Sequence, residues 1–238
     1  MSAGVAIVTG AASGLGAAIS SRLRDDGYDV VGLDIDATEP WIEAADVRID
    51  ADVARVVEVA AARGPITAMV MSAAVETRAS VVDCTDDDWQ RVLDINLKGP
   101  FLCMRHVVPH MVRNGGGSIV AMGSTLGNIV APQFPAYCAS KYGLTNLCKQ
   151  VAIEHAPDGI RVNVLSLGPT DTGLFVRLTD MAPDPEAVRA GVAANLPMKR
   201  LGRVSEVCAA VAFLLSDGAA WTSGAVLPLD GGLAARRM

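Results

Sequence analysis

The chain has 238 residues, of which 51% are hydrophobic and 19% charged, and its formal net charge is −6 with an isoelectric point near 5.0. This composition provides a large apolar core, and the acidic balance argues against a nucleic-acid partner, because phosphates are bound by basic surfaces. We expect no membrane span, since no uninterrupted apolar run approaches about 18 residues, and the odd set of five cysteines without a C-x-x-C pair is typical of reduced thiols in a cytoplasmic protein.

Short apolar runs alternate with helical patterns along the first part of the chain. The run "GVAIVTG" (4–10) is rich in β-branched residues and closed by glycine, as is typical of a buried strand. Helical spacing of the apolar residues predicts a helix over 14–26. The next predicted elements are a strand over 29–34, a short third strand over 47–49, a helix over 51–63 and a strand over 66–74.

The second part of the chain continues this alternation. A long helical tract is predicted from Asp86 to Asn114, with Thr85 as its N-cap. The following predicted elements are a strand over 117–124, a helix over 136–156, a strand over 159–168, a helix over 204–216 and a strand over 224–230. This order predicts an α/β fold in which helices cover both faces of a parallel sheet.

No composition break divides the chain, so we expect one domain over residues 1–238. The irregular region is 169–200, which contains four prolines and scattered large apolar side chains. A connection of this length is typical of a functional loop, and it predicts a lid over a binding site.

The first glycine loop, "TGAASGLG" (9–16), lies between the first predicted strand and the first predicted helix. Glycines at positions 10, 14 and 16 allow the backbone to approach a pyrophosphate, and the helix N-terminus offers unpaired N–H groups. The spacing G-x-x-x-G-x-G in this context predicts nucleotide binding, although a glycine pattern alone is weak evidence.

The second predicted strand ends at Asp34, 20 residues after Gly14. A carboxylate there accepts hydrogen bonds from ribose hydroxyls and repels a 2′-phosphate. Ser13 and Ile35 occupy the positions at which a basic residue would favour NADP. The sequence therefore predicts NAD as the cofactor.

The stretch "PAYCASKYGL" (135–144) places Tyr137 and Lys141 one helical turn apart, on the same helix face. A fixed cation beside a phenol favours the phenolate and predicts a lowered pKa, as a general base near neutral pH requires. Tyr142 lies about 100° further round the helix than Lys141 and is predicted to pack in the core or at an interface. Ser124, at the end of a neighbouring strand, lies where open α/β sheets bind ligands.

These motifs resemble those of the short-chain dehydrogenase/reductase family, and the resemblance covers nearly the whole chain. Besides the glycine loop and "YCASK", it includes "NLKG" (96–99), "GSIVAMGS" (117–124), "GIRVNVLSLGPTDT" (159–172), "LGRVSEVCAAVAFLLSD" (201–217) and "SGAVLPLDGG" (223–232). The resemblance implies a Rossmann-type doubly wound parallel sheet of about seven strands, in the order 3-2-1-4-5-6-7.

The resemblance also implies roles for four catalytic residues. Tyr137 would be the general acid/base, Lys141 would lower its pKa and hold the nicotinamide ribose, and Ser124 would bind the substrate oxygen. Asn96 would support a water that leads protons away. The cofactor contacts that it implies, with Thr172 on the carboxamide and Asp46 and Val47 beside the adenine, are Gly10, Ser13, Gly14, Leu15, Gly16, Asp34, Ile35, Asp46, Val47, Ser72, Ala73, Ala74, Tyr137, Lys141, Gly168, Thr170 and Thr172.

Three departures from the family pattern predict local rearrangements without loss of activity. Met71-Ser72-Ala73-Ala74 replaces N-N-A-G, and Leu167-Gly168 replaces Pro-Gly, with Pro169 one position later. The connection from 34 to 46 is too short for the usual helix.

The leading hypothesis is an NAD-dependent oxidoreductase that interconverts a secondary alcohol and a ketone. The alternatives are a 3-oxoacyl thioester reductase, a non-catalytic dinucleotide sensor and a nucleotide-binding methyltransferase. His106 and His110 have the i, i+4 spacing of metal ligands but no evident third ligand, so no metal is expected. The expected partners are an apolar small-molecule substrate and further copies of the chain, in a dimer or tetramer. The predicted substrate walls are Val75, Leu126, Phe134, Leu174 and Phe175, with Ser124 at the reacting oxygen.

Overall fold

The computed structural model describes residues 3–235, apart from the side chain of Leu178. Within this range the strands are β1 (Val5–Thr9), β2 (Asp29–Asp34), β3 (Ile42–Ala44), β4 (Ile66–Met71), β5 (Gly117–Met122), β6 (Ile160–Leu167) and β7 (Val226–Leu229). They form one seven-stranded sheet in the order β3-β2-β1-β4-β5-β6-β7, and each neighbouring pair is parallel. The predicted α/β class and strand order are confirmed.

Helices cover both faces of the sheet, as predicted. They are α1 (Gly14–Asp25), α2 (Asp50–Arg63), α3 (Asp86–Leu93), α4 (Gly99–Arg113), α5 (Pro135–Glu154), α6 (Gly173–Asp180), α7 (Pro185–Asn195) and α8 (Val204–Leu215). One apolar core joins the sheet to α2, α4 and α5, and a second joins its other face to α1 and α8. No helix in the described part of the chain combines the length and the apolar character that a bilayer-spanning helix needs.

The central strands are buried on both faces because helices pack on each side. All five residues of β1 are buried, and so are the last four residues of β4. This double burial explains why these strands have continuous apolar sequences rather than alternating ones.

The third strand was predicted at 47–49, and this prediction is wrong. The strand is Ile42–Ala44, which pairs with the end of β2 from Gly32 to Asp34. A turn after Asp34 reverses the chain early, and the N–H of Gly32 donates to the Trp41 carbonyl at 2.8 Å. Residues 47–49 instead lead directly into α2. The connection is indeed too short for a helix.

The predicted tract from Asp86 to Asn114 consists of α3, a π-helical turn over Asp94–Lys98, and α4. Thr85 is its N-cap, and its hydroxyl oxygen accepts the Asp88 N–H at 3.1 Å. The π turn contains Asn96 and rotates α4 relative to α3, which a continuous 3.6-residue pattern does not reveal.

The two histidines of α4 face carboxylates of α2. His106 Nε2 lies 2.9 Å from Asp50 Oδ1, and His110 Nε2 lies 3.2 Å from Glu58 Oε1. Within residues 3–235, no group of three or more His, Cys, Asp or Glu side chains is arranged to hold a metal ion. The i, i+4 histidine pair therefore links two helices.

Candidate active site

A cavity of about 900 Å³ opens at the carboxyl ends of the parallel strands. Ligands bind at this edge in open α/β sheets. The residues predicted from sequence that line it are Gly10, Ser13, Gly14, Leu15, Gly16, Asp34, Ile35, Asp46, Val47, Ser72, Ala73, Ala74, Val75, Ser124, Leu126, Phe134, Tyr137, Lys141, Gly168, Thr170, Thr172, Leu174 and Phe175. Asn96 is the one predicted site residue that lies behind the wall rather than on it.

The glycine loop passes close to neighbouring backbone at two points. Gly10 has a φ of +68°, and a Cβ there would lie 2.9 Å from the Ala73 Cα. Gly16 lies in the first turn of α1, where a Cβ would lie 2.0 Å from the Gly10 carbonyl oxygen. These contacts bring the N-terminus of α1 against the end of β1, so its unpaired N–H groups border the cavity.

Asp34 is held in place at the end of β2. Its Oδ2 accepts the N–H of Ala12 at 2.9 Å, and its Oδ1 accepts the N–H of Asp36 at 3.1 Å. A carboxylate has about four acceptor sites, so further lone pairs are available to a ligand. The bonds fix the carboxylate beside the glycine loop.

Asp46 also lines the cavity, and sequence analysis missed its partner there. The Nη2 of Arg48 lies 2.6 Å from Asp46 Oδ2, and hydrogen bonding from Arg48 lowers the pKa of the Asp46 carboxyl. Arg48 is itself a lining residue. The guanidinium is therefore partly neutralised within the chain.

The two departures near the cavity are accommodated by hydrogen bonds within the chain. The hydroxyl oxygen of Thr9 accepts the N–H groups of Ser72 and Ala73, at 3.0 and 3.1 Å. The N–H of Gly168 donates to the Leu229 carbonyl at 3.0 Å, and the Leu167 carbonyl accepts the Thr125 hydroxyl at 3.3 Å. These bonds fix the backbone at both positions.

Tyr137 and Lys141 lie on α5 and both face the cavity. The Lys141 Nζ lies 5.6 Å from the centroid of the Tyr137 ring and donates to the Met122 carbonyl at 2.8 Å. The hydroxyl of Ser124 hydrogen-bonds the Tyr137 phenol. The structure thus brings a phenol, a hydroxyl and an ammonium group from α5 and the end of β5 into one place.

The expectation that Lys141 lowers the pKa of Tyr137 is not met. Burial raises the pKa of the Tyr137 phenol above its ordinary value, and the hydrogen bond from Ser124 only partly opposes this. Burial also lowers the pKa of Lys141 to about 8, which still leaves the ammonium charged near neutrality. Desolvation therefore outweighs the favourable spacing of the pair.

Tyr142 differs sharply from Tyr137. Its side chain is 61% exposed, whereas Tyr137 is 8% exposed. The core alternative predicted for Tyr142 is therefore wrong. The 100° rotation along the helix turns Tyr142 away from the sheet.

Asn96 positions the wall of the cavity. Its Oδ1 accepts the N–H of Val75 at 2.9 Å, and its Nδ2 donates to the Val75 carbonyl at 2.8 Å and to Ser140 Oγ at 3.2 Å. The Ser140 hydroxyl donates to the Tyr137 carbonyl at 2.8 Å. Asn96 therefore connects the segment after β4 to the helix that carries Tyr137.

The apolar part of the cavity lies beside Tyr137. A buried cluster contains Val92, Ala136 and Tyr137, with partly buried side chains packed against it from Val75, Leu126, Phe134 and Leu174. The Phe134 and Tyr137 rings meet edge to face, with centroids 6.4 Å apart. Helix α6 contributes Leu174 and Phe175 to this wall.

Sequence analysis missed Glu76, which lies in the cavity between the apolar wall and Tyr137. Burial raises the pKa of its carboxyl to about 7, and the positive charges of Arg177 and Lys141 partly oppose this. Its sequence signal is a single acidic residue just after the apolar run of β4, within "SAAVETR". That signal is too common to identify a site residue by itself.

Glu76→Gln is expected to stabilise the protein more at alkaline than at acidic pH. The folded-state pKa of about 7 exceeds the ordinary value of 4.5, so the unfolding free energy falls as pH rises from about 4.5 to 7. Glutamine does not ionise and escapes this loss, which we place at about 1 to 2 kcal/mol after allowance for solvent screening. Urea denaturation of both proteins at about pH 5 and 8 measures the difference. A gain that is equal at both pH values would contradict the prediction.

Comparison with known proteins agrees with this geometry. A family profile described as enoyl-(acyl carrier protein) reductase matches residues 10–234. The chain is 38% identical to cis-4-hydroxycyclohexanecarboxylate dehydrogenase from Sinomonas cyclohexanicum, over 97% of this chain and 96% of that protein. It is 37% identical to D-threitol dehydrogenase from Mycolicibacterium smegmatis, over 96% and 92% of the two chains. The crystal structure of levodione reductase is similar with a TM-score of 0.95 at 28% identity, and all of both chains is covered.

Proposed function

The chain belongs to the short-chain dehydrogenase/reductase family of oxidoreductases, and we propose that it interconverts a secondary alcohol and a ketone with NAD as hydride carrier. The observation that carries this proposal is the convergence of Ser124, Tyr137 and Lys141 on one cavity bordered by the glycine loop. These groups supply substrate binding, proton transfer and positive charge, which are the needs of such a reaction.

The cavity residues fit a nicotinamide dinucleotide, which the family binds. The N-terminus of α1 would hold the pyrophosphate, and the close approach of Gly16 to Gly10 leaves no room there for another side chain. Lys141 would hold the nicotinamide ribose, and Thr172 and Gly168 would border the nicotinamide. Asp34 would accept the adenosine ribose hydroxyls.

We further propose that the dinucleotide is NAD rather than NADP. The Asp34 carboxylate is fixed by two backbone N–H groups, so it cannot readily turn away from a 2′-phosphate. The nearby cation of the cavity, Arg48, is already paired with Asp46. Both features disfavour an added phosphate dianion.

In the proposed reaction, Ser124 holds the substrate oxygen and Tyr137 exchanges a proton with it. The bound nicotinamide supplies the hydride acceptor or donor. Because burial raises the pKa of Tyr137, the resting phenol is protonated and can donate directly to a ketone. Alcohol oxidation requires the phenol to lose its proton first, so we expect this direction to be favoured at higher pH.

A panel of secondary alcohols tested with NAD and NADP checks the proposal. We expect at least one alcohol to reduce NAD, with kcat/KM for NAD about 10-fold or more above that for NADP, as one well-placed charge repulsion permits. NADH formation is followed by its absorbance. The absence of turnover with every alcohol and every matching ketone would contradict the proposed function, and a preference for NADP would contradict the cofactor assignment.

The description of the matching profile keeps a second candidate in view, namely reduction of an acyl thioester. This substrate class would need a surface that receives a carrier arm. Turnover of a short 3-oxoacyl thioester at a rate well above that of any simple ketone would favour it. A non-catalytic sensor would bind the dinucleotide without turnover. Membership of this oxidoreductase family argues against a methyltransferase.

We also propose a single domain in which residues 169–200, with α6 and α7, form a lid over the substrate, and a dimer or tetramer as the assembly. Exposed apolar side chains on neighbouring long helices support self-association, namely Phe101 on α4 and Tyr142 and Ile153 on α5. The five cysteines are all unpaired, in agreement with a reducing cytoplasmic setting.

A further inference from the structure

The segment that follows β4 is fixed by side chains from three directions. Asn96 holds both backbone groups of Val75, at 2.9 and 2.8 Å. The Thr77 hydroxyl accepts from Arg91 Nη2 at 2.8 Å and donates to Asp88 at 3.3 Å. These bonds flank Glu76 on both sides and fix its backbone at the cavity wall.

Glu76 is the exception within this fixed segment, because its side chain makes no hydrogen bond or ion pair with any residue in the described range 3–235. Arg78 donates to the Gln133 side chain at 2.5 Å, so the residue two positions later is also engaged. The Glu76 carboxylate lines the same cavity as Tyr137, and its charge is close enough to act on the Tyr137 phenol. A half-buried carboxylate without a partner is costly unless a ligand supplies one.

We propose that Glu76 is a substrate-binding residue that accepts a hydrogen bond from a second hydroxyl group of the substrate, so that the substrate is a diol or polyol. This inference rests on the proposed function and specifies its substrate class. It replaces the wholly apolar substrate predicted from sequence with one that presents carbon to the apolar wall and a hydroxyl to Glu76.

The charges around the cavity select a neutral donor. An anionic group would be repelled by the Glu76 carboxylate. An ammonium group would be repelled by Arg177 and Lys141, whose positive charges both act on Glu76. A hydroxyl carries no charge and donates one hydrogen bond, and bonds to charged acceptors are the stronger kind.

The test compares cyclohexanol with 1,2-cyclohexanediol, which share one carbon skeleton and differ by one hydroxyl. In the wild-type protein with NAD we expect kcat/KM to be higher for the diol. Glu76→Ala is expected to lower the diol-to-alcohol ratio of kcat/KM by about 10- to 100-fold, since one hydrogen bond to a charged group is lost. Glu76→Gln keeps an acceptor oxygen without the charge, and we expect a smaller fall.

Glu58→Gln is the matched control, because it removes one carboxylate outside the cavity and keeps an acceptor for His110. We expect its ratio to equal that of the wild-type protein. A ratio that stays unchanged in Glu76→Ala, while both alcohols turn over, would overturn the inference and leave the proposed function intact. A ratio that falls equally in Glu58→Gln would also overturn it.

Equilibrium binding separates this inference from the reaction itself. Calorimetric titration of each compound into the protein, with and without NADH, is expected to show tighter binding of the diol in the wild-type protein and equal binding in Glu76→Ala. Equal binding by the wild-type protein, or no binding of the diol, overturns the inference. Diol binding that depends on Glu76, without turnover of any alcohol, would overturn the proposed function alone.

Discussion

Tyr137→Phe is expected to lower kcat by about 10²- to 10⁴-fold while NAD binding persists. The substitution removes the one phenol oxygen that hydrogen-bonds Ser124 in the cavity, and with it the proposed route for the substrate proton. It keeps the ring that packs against Phe134, so the apolar wall should remain. Single-turnover and steady-state rates of NADH formation measure the loss, and quenching of NADH fluorescence measures binding.

Tyr142→Phe is the matched control, because it removes the same atom one position beyond Lys141. Tyr142 is 61% exposed and is not a lining residue of the cavity. We expect its kcat to equal that of the wild-type protein. Undiminished turnover in Tyr137→Phe would exclude the phenol as the acid/base, and a comparable loss in both variants would show a general effect of losing a phenol from α5.

The positions of the catalytic group could be predicted because they depend on local spacing. Tyr137 and Lys141 lie one turn apart on any helix, and a residue at the end of a parallel strand lies at the ligand-binding edge of any such sheet. Ser124 and Asp34 were placed by the second rule. Both rules survive small errors in the element boundaries.

The electrostatics of the same group could not be predicted from spacing. The i, i+4 pattern predicts that Lys141 faces Tyr137, but it contains no information about how deeply both side chains are buried. Burial raises the pKa of Tyr137 and lowers that of Lys141, and the ammonium is used partly by the Met122 carbonyl. These effects come from β5 and the lid side of the cavity, which are distant in sequence.

Glu76 and the third strand were missed for a related reason. Glu76 becomes a site residue because Asn96 and Arg91, from the π turn and α3, hold its neighbours. The strand Ile42–Ala44 exists because the chain reverses after Asp34 and reaches the free edge of β2. A three-residue strand has too few residues to show a period, so its position depends on pairing and not on its own sequence.

Gly16→Ala is expected to weaken NAD binding at least 10-fold and to destabilise the fold by about 2 to 4 kcal/mol. A Cβ at this position would lie 2.0 Å from the Gly10 carbonyl oxygen and 2.6 Å from the Gly10 carbonyl carbon. Both are backbone atoms, so no side chain can rotate to relieve the overlap. The N-terminus of α1 must move away from β1, and the N–H groups proposed to hold the pyrophosphate move with it.

Gly191→Ala tests whether this effect is specific to the glycine loop. Gly191 lies within α7, and a Cβ there meets no atom within 4 Å. Alanine should therefore stabilise that helix by up to about 1 kcal/mol, because it restricts the unfolded chain and favours helical dihedrals. Urea denaturation and NADH fluorescence titration apply to both variants. If Gly16→Ala keeps the wild-type affinity and stability, the close packing of α1 on β1 does not position the dinucleotide site.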